Sequence, residues 1–326
     1  MINTASQQST LLAWRILELI FELRNVPAAA AETAPAGDGF HAAKVEDFVR
    51  RRKPVVMVLP AFPAKSSNPE KTLGHLPDLG EVLALRRLDR LCAAIGEIYE
   101  PGARIVICSD GRVFSDLVQV SDEAVSGYRE AIARILSAER LSRLSTFDLD
   151  DVFAGLSGHD ARRAALVERH GEPVERLRGR VLEDEDFRRL FNGIHRFLFE
   201  DLVVLRKEMS RTAVRELAKE LAYGVVQRSN AWSRLVEERF PDAVRLSIHP
   251  QPAHSRKIGV RLLPSSNMWR TPWHSAVLFD GKEFSLIRRK EAEDSRAVLA
   301  RAEGGYPFFV AAQAALGGEH ARLALA

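Results

Sequence analysis

Between Ala243 and His274 the chain carries no aspartate or glutamate, yet it holds Arg245, Arg256, Lys257, Arg261 and Arg270 together with His249, His254 and His274. Elsewhere both signs of charge are mixed freely. A cationic, histidine-bearing stretch without acids favours an anionic ligand, because guanidinium and ammonium groups suit phosphate and carboxylate. The competing reading pairs these cations with the acidic helices of the middle region. Histidines titrate near neutrality, which suits them to proton transfer. The spacing His249-Pro-Gln-Pro-Ala-His254 also raises a metal site, but it matches neither HExxH nor the Cys/His finger patterns and has no carboxylate close by in sequence. A second acid-free stretch, Pro54–Pro69, delivers Lys65, Ser66, Ser67 and Asn68, with Lys71 just beyond it. A third group, Ser109-Asp110-Gly111-Arg112, offers a carboxylate to hold an amine or orient a lysine and a guanidinium to hold a phosphate; as a plain turn, Asp110 would instead cap the residues after it. Glu200-Asp201 is a further acidic pair. Trp269 and Trp273 flank Thr271-Pro272 and would wall an aromatic pocket or fill a core. No GxGxxG follows a strand, and neither GxxxxGK[ST] nor GxSxG occurs, so phosphate binding here has to use side chains.

The elements that must position these groups are legible from periodicity. Pro54–Leu59 is a continuous apolar run with the length and β-branched content of a fully buried strand. It stops at Pro60, and Pro63, Pro69 and Pro77 stiffen the polar loop that follows and remove backbone donors. Gly80–Tyr99 has a helical stripe of Val82, Leu85, Leu88, Leu91, Cys92 and Ile95, closed by Pro101-Gly102. Ala103–Cys108 is a second short apolar strand. Strand, loop, helix, strand is a βαβ unit and predicts a parallel sheet. Asp110 then occupies the same place on its strand as the Pro60 loop on the first, so the two should lie side by side, where α/β proteins bind ligands. Val120–Leu136 reads as a helix capped by Ser121-Asp122-Glu123, and Thr146–Leu149 as a third strand. From Leu149 to about Phe240 the pattern is helical and heavily charged, a solvated surface with i,i+4 pairs. Strands follow at Ala243–Ile248, Ile258–Leu263, Ala276–Phe279 and Glu283–Leu286, with Asp280-Gly281 as a hairpin turn.

At the N-terminus, Ser9–Arg24 is an amphipathic helix with Leu12, Ile16, Leu19, Ile20 and Leu23 on one face and Ser9 or Thr10 as its cap. Its polar face is not basic, so it packs on the core rather than on a membrane. Pro27–Gly39 is a mobile connection by composition, and His41–Arg52 a helix with a basic end. The expected organisation is an N-terminal helix and linker over 1–40 and a single α/β domain over 41–326, with a helical segment at about 150–240. The fold class is α/β: a Rossmann-like, mostly parallel sheet flanked by helices, with a helical insertion and an antiparallel edge. With 326 residues, 46% of them apolar, a net charge of +3 and two cysteines, the chain has material for a large core and no sign of a nucleic-acid protein, a membrane span or a disulfide framework; a reducing cytoplasm is the expected compartment.

Four blocks together carry a resemblance: AFPAKSSNPEKTLGHLPDLGE, ICSDGRVFSD, NGIHRFLFED and LSIHPQPAHSRKIGVRLLPSSNMWRTPWHSAV. They are similar to the isocyanide (isonitrile) synthases, the pyoverdine/dityrosine biosynthesis family, and span Lys53 to Val277. The resemblance implies conversion of an aromatic L-amino acid, tyrosine first and tryptophan second, into its isonitrile, with ribulose 5-phosphate donating the carbon. It implies condensation of the amine with the C2 ketone, loss of phosphate and carbon–carbon cleavage, with no metal and no redox cofactor. An iron- and 2-oxoglutarate-dependent oxygenase is the implied next enzyme. Such chemistry needs general acids and bases and a phosphate grip. Lys65, His249 and His254 are assigned to proton transfer, with a Schiff base at Lys65 as an alternative. Ser66, Lys71, Arg112 and Lys257 are assigned to the phosphate, and Asp110 and His274 to positioning the substrates. Two other classes compete: a phosphosugar lyase or aldolase that uses no amino acid, and a non-catalytic phosphosugar-binding module.

Overall fold

The apolar run after Lys53 alternates its side chains between two faces, and both faces are covered. In β1 (Val55–Leu59), Val55, Met57 and Leu59 point into the main core, while Val58 packs into a second cluster with Val106 and Cys108. Strand periodicity puts successive side chains on opposite faces, so a strand buried on both reads as unbroken hydrophobicity. The computed structural model describes residues 2–27 and 38–315. The proline- and alanine-rich connection expected after Pro27 lies mostly outside the described residues.

β1 pairs in parallel with β2 (Ala103–Ser109), and β2 with β3 (Leu144–Asp148). On its other side β1 pairs in parallel with β4 (Val244–Ser247), which pairs with β5 (Ile258–Gly259). The order β3-β2-β1-β4-β5 places a topological switch between β1 and β4, where consecutive connections leave in opposite directions and open a crevice at the strand ends. β5 is shorter than the expected Ile258–Leu263. The N-terminal segment explains it: Asn25 N donates to Gly259 O, Arg261 N donates to Leu23 O at 2.7 Å, and the strand hands its hydrogen bonds to that segment. A Cβ on Gly259 would meet Asn25 O at 2.3 Å, so only glycine allows the crossing.

The main core gathers α1 (Ile2–Phe21), α2 (Asp38–Arg50), α3 (Leu79–Ile98) and α5 (Asp122–Ala138) on one face of the sheet. Ala13, Ile16, Leu17 and Ile20 of α1 are fully buried there. α1 starts at Ile2, so Ser9 and Thr10 lie inside it rather than capping it; the Thr10 hydroxyl donates to Ser6 O and Glu46 instead. The expected cap at Ser121 is present, and α3 has a cap that the pattern did not announce. Asp78 and Glu81 form a capping box at the start of α3, and Ser121 accepts from Ala124 N at the start of α5. Two short helices, α4 (Gly111–Phe114) and α6 (Leu149–Val152), follow β2 and β3 directly.

The helical region is α7 (His159–His170), α8 (Val174–Glu183), α9 (Glu185–Leu205) and α10 (Arg211–Arg239). The first half of α10 shares a core with α8 and α9, through Val214, Ala218, Ala222 and Val226. Its second half covers the other sheet face with Ala231, Trp232, Leu235 and Val236. The antiparallel strands are not an edge of the parallel sheet. β6 (Ala276–Phe279), β7 (Phe284–Ile287), β8 (Val298–Arg301) and β9 (Pro307–Val310) form a separate mixed sheet, ordered β7-β6-β9-β8. The expected Asp280-Gly281 hairpin joins β6 to β7, with Gly281 at φ 102° and the Asp280 carboxylate accepting from Lys282 N and Glu283 N. α11 (Arg289–Asp294) lies between β7 and β8. No helix among the described residues is long and apolar enough to cross a membrane.

Candidate active site

The loop after β1 and the turn after β2 cross at the carboxyl edge of the sheet, as the βαβ order requires. Ser109 Oγ donates to Phe62 O at 2.9 Å. A Cβ on Gly111 would lie 2.0 Å from Pro63 O, so this crossing needs a glycine. Phe62 is buried at φ 55°, a conformation a bulky residue rarely adopts, and its ring rests on Trp273. These contacts fix where Asp110 and the Lys65–Lys71 loop stand relative to each other.

α9 ties down the far end of that loop. Asp201 Oδ1 accepts from Asn68 Nδ2 at 2.8 Å and pairs with Lys71 Nζ at 2.6 Å, while Asp201 Oδ2 lies 3.5 Å from Ser66 Oγ. Lys71 Nζ also sits 4.4 Å from the centre of the Phe197 ring, and that ring lies 4.9 Å from the imidazole of His274. Thr271 Oγ1 meets His274 Nδ1 at 3.2 Å. Burial, and then the cations Lys71 and Lys65 with His249, push the His274 pKa well below its ordinary value. The imidazole is therefore neutral at pH 7.

The end of β4 supplies the opposite wall. His249 stands beside Trp269, ring centres 5.6 Å apart. Desolvation, reinforced by the nearby Lys257 ammonium, lowers the His249 pKa to about 4. Water reaches this side chain, yet protein surrounds it closely enough to desolvate it. Asp110 is partly accessible and makes no ion pair or helix-cap hydrogen bond; burial raises its pKa to about 7, against a smaller opposing effect from its own backbone N–H. A carboxyl group poised at neutral pH is suited to exchanging protons with a substrate.

Below His249 lies a cationic cradle. Arg245 Nη2 donates to Ser233 Oγ at 2.9 Å and Lys257 Nζ donates to the same oxygen at 3.3 Å. Arg245 is paired with Glu237 at 3.1 Å, but Lys257 has no carboxylate partner among the described residues. Desolvation, then repulsion from Arg245, lowers the Lys257 pKa. With Ser233 accepting from both cations, its own O–H is free to donate. An ammonium with no ion-pair contact, a guanidinium and a hydroxyl at one point have the chemistry to hold a phosphate or carboxylate.

The structure thus brings His249, His274, Lys257 and Lys71 within electrostatic reach of one another, while Asp110 stands at the end of β2 beside the β1 loop that carries Ser66 and Lys71. Three expected residues stand elsewhere. Lys65 is fully buried: its Nζ contacts Asp78 Oδ2 at 2.7 Å, Glu81 Oε2 at 3.0 Å, Pro272 O at 2.8 Å and Ser275 O at 3.3 Å. Burial opposes its charge, but Asp78 and Glu81 win and its pKa is raised, so it offers no free amine for a Schiff base. Arg112 faces α5 instead of the crevice, donating to Asp122 O and Ser126 Oγ, both at 2.6 Å, in a network that Arg163, Arg129 and Asp150 complete. His254 is on the exposed turn before β5, with no hydrogen bond or ion pair among the described residues. It does not join His249 in a ligand set, and no group of three or more His, Cys, Asp or Glu capable of holding a metal occurs among the described residues.

Sequence reasoning passed over Ser233 and Phe197 and gave Arg245 no site role. Ser233 lies in the middle of a long charged helix, where nothing local marks it. Arg245 stood in the acid-free stretch and Phe197 beside the Glu200-Asp201 pair, so both were within reach of a signal.

Residues 45–299 match the family model described as pyoverdine/dityrosine biosynthesis protein. The chain is 44% identical over 296 residues to L-tryptophan isonitrile synthase AmbI1 of Fischerella ambigua, covering 89% of this chain and 92% of that protein. It is 38% identical over 308 residues to the L-tyrosine isonitrile synthase of Pseudomonas aeruginosa, covering 92% and 94%. The crystal structure of the PvcA protein from Pseudomonas aeruginosa superposes with a TM-score of 0.85 at 36% identity, over 92% of this chain and 99% of that one.

Proposed function

This chain belongs to the pyoverdine/dityrosine biosynthesis family and is an enzyme of the isonitrile synthase type, and from that premise we propose that it converts an aromatic L-amino acid and ribulose 5-phosphate into the α-isocyano acid. The observation that carries the reading is a cationic cradle beside His249, with the second histidine, His274, within electrostatic reach of the first. Lys257, Arg245 and Ser233 grip the sugar phosphate. Asp110 faces the amino acid: its carboxylate pairs with the substrate ammonium and takes a proton from it, because only the neutral amine attacks a ketone. His249 and His274, both neutral at pH 7, relay protons during the condensation and the loss of phosphate. Trp269 and Phe197 present ring faces on which an aromatic side chain stacks.

For the amino acid we now place tryptophan before tyrosine, reversing the order expected from the family resemblance. The relatives named for L-tryptophan are 44% and 46% identical to this chain, those named for L-tyrosine 38%. The product is suited to an iron- and 2-oxoglutarate-dependent oxygenase in secondary metabolism, the partner implied by the family. The test is incubation of the chelator-treated protein with ribulose 5-phosphate and either amino acid, read by mass spectrometry. A product heavier by one carbon and lighter by two hydrogens is expected, formed faster from tryptophan. Phosphate release without an amine would point to a lyase instead, and unchanged substrates to a binding module.

A further inference from the structure

The buried Lys65 ammonium touches the chain on both sides of His274. It donates to Pro272 O at 2.8 Å and lies 3.3 Å from Ser275 O, two residues before the histidine and one after it. The neighbouring Ser66 N donates to Trp273 O at 2.9 Å, so three carbonyls around His274 are held from the same two residues. On its other side Lys65 meets Asp78 and Glu81, which form the capping box of α3, and Glu81 Oε1 accepts from Tyr128 of α5 at 3.2 Å. One cation therefore joins the first loop of the parallel sheet, the start of α3 and the segment leading into β6. None of these side chains is open to solvent, so none can touch a substrate: Lys65 and Glu81 are at most 1% exposed, as is Asp78.

We infer that Lys65 is a positioning residue that sets the orientation of His274 through the carbonyls of Pro272 and Ser275, and that the Lys65–Asp78–Glu81 cluster serves the reaction through that histidine without contacting the reacting atoms. This role rests on the isonitrile synthase reading for its consequence in turnover, but not for its geometry. The arrangement has a physical advantage over direct packing alone. Multiple charge-assisted hydrogen bonds in a dry interior define carbonyl positions tightly, and a displacement of about 1 Å in a catalytic group costs about 100-fold in rate.

The test compares wild type with Lys65→Met and with Lys65→Met/Asp78→Asn/Glu81→Gln. Breaking one member of a buried ion cluster destabilises, whereas removing all of its charge restores much of the stability. Asn and Gln keep the capping box. The expected result is a lowered melting temperature in Lys65→Met that recovers in the triple variant, while kcat stays about 100-fold low in both and KM for each substrate changes little. Long-range imidazole ¹H–¹⁵N spectra, with the His274 signals identified through His274→Gln, should show those signals displaced in both variants. Full recovery of kcat along with the melting temperature in the triple variant would reduce Lys65 to a stabilising role and overturn the inference; so would unmoved His274 signals. Borohydride reduction with ribulose 5-phosphate followed by peptide mass spectrometry should leave Lys65 unmodified, and an adduct there would make it a nucleophile instead. Should wild type form no isonitrile, the functional reading fails, and the His274 spectra still decide the positioning.

Discussion

Asp110 is the residue whose chemistry and stability pull in opposite directions. Its carboxyl group is raised from 3.8 to about 7 by burial. A folded-state pKa above the unfolded one means the group favours the native state while protonated, and this contribution is lost as pH climbs from about 4 through about 7. Asp110→Asn should therefore stabilise the protein by roughly 1–3 kcal/mol at pH 8 and little at pH 4, seen as a melting-temperature gain confined to the higher pH. The same variant should abolish the limb of the kcat/KM profile near pH 7 and lower turnover by about 100-fold or more, the usual loss when a general base is removed. Lys257 acts in binding. Lys257→Ala should raise KM for ribulose 5-phosphate by about 10–100-fold, the worth of one charge-assisted hydrogen bond, and leave the amino-acid KM near its original value. An equal rise in both would place the phosphate elsewhere.

Among the elements, the crossing of the β1 loop over the start of α4 decides the shape of the crevice. Pro63 O sits where a Cβ of residue 111 would be, 2.0 Å away, and Val125 leaves only 3.0 Å on another side. Gly111→Ala must push the loop, and with it Ser66 and the Phe62–Trp273 contact, away from β2. The expected outcome is a loss of roughly 2–4 kcal/mol in denaturant unfolding and of most activity, even though alanine is the better helix former. An unchanged unfolding midpoint would mean that the loop yields freely. α9 plays the complementary part. Asp201 alone receives Asn68, Lys71 and Ser66, so the helical region and the loop are held by one carboxylate.

At the scale of the molecule, the crevice lies where the parallel sheet, the helical region and the segment before the second sheet meet. Arg245 comes from within β4 and His249 from just past its end, Ser233 from α10, Asp110 from the end of β2, and His274 from the approach to β6. A ligand that bridges them should stabilise all three parts together. Ribulose 5-phosphate at 100 times its Kd adds about 2.7 kcal/mol to the folded state. The unfolding transition should therefore rise as a single step in wild type and by only about 0.4–1.4 kcal/mol in Lys257→Ala at the same concentration, where binding is about 10–100-fold weaker. A rise confined to one of two resolved transitions would show that the parts unfold separately and that the ligand bridges only some of them.

Local patterns were enough for much of this. The unbroken apolar run at 54–59, the stripe of α3, the second apolar run at 103–108 and the cap at Ser121 each depend on short-range rules, and together they determine a parallel βαβ unit with Asp110 beside the first loop. The acid-free composition of 243–274 likewise marked His249, Lys257 and His274, because an uncompensated run of cations is visible in composition alone. What the chain could not reveal by itself is which way a side chain turns once distant elements close on it. Lys65, Lys71 and Arg112 look alike in sequence, as cations on polar loops at strand ends. Tertiary packing gave Lys65 two carboxylates from α3, gave Arg112 the acids of α5 and α6, and set Lys71 against Asp201 and the Phe197 ring of α9. Those partners lie as far as 130 residues along the chain, and Coulomb attraction in a dry interior, which falls off with distance in space and not in sequence, decides each case.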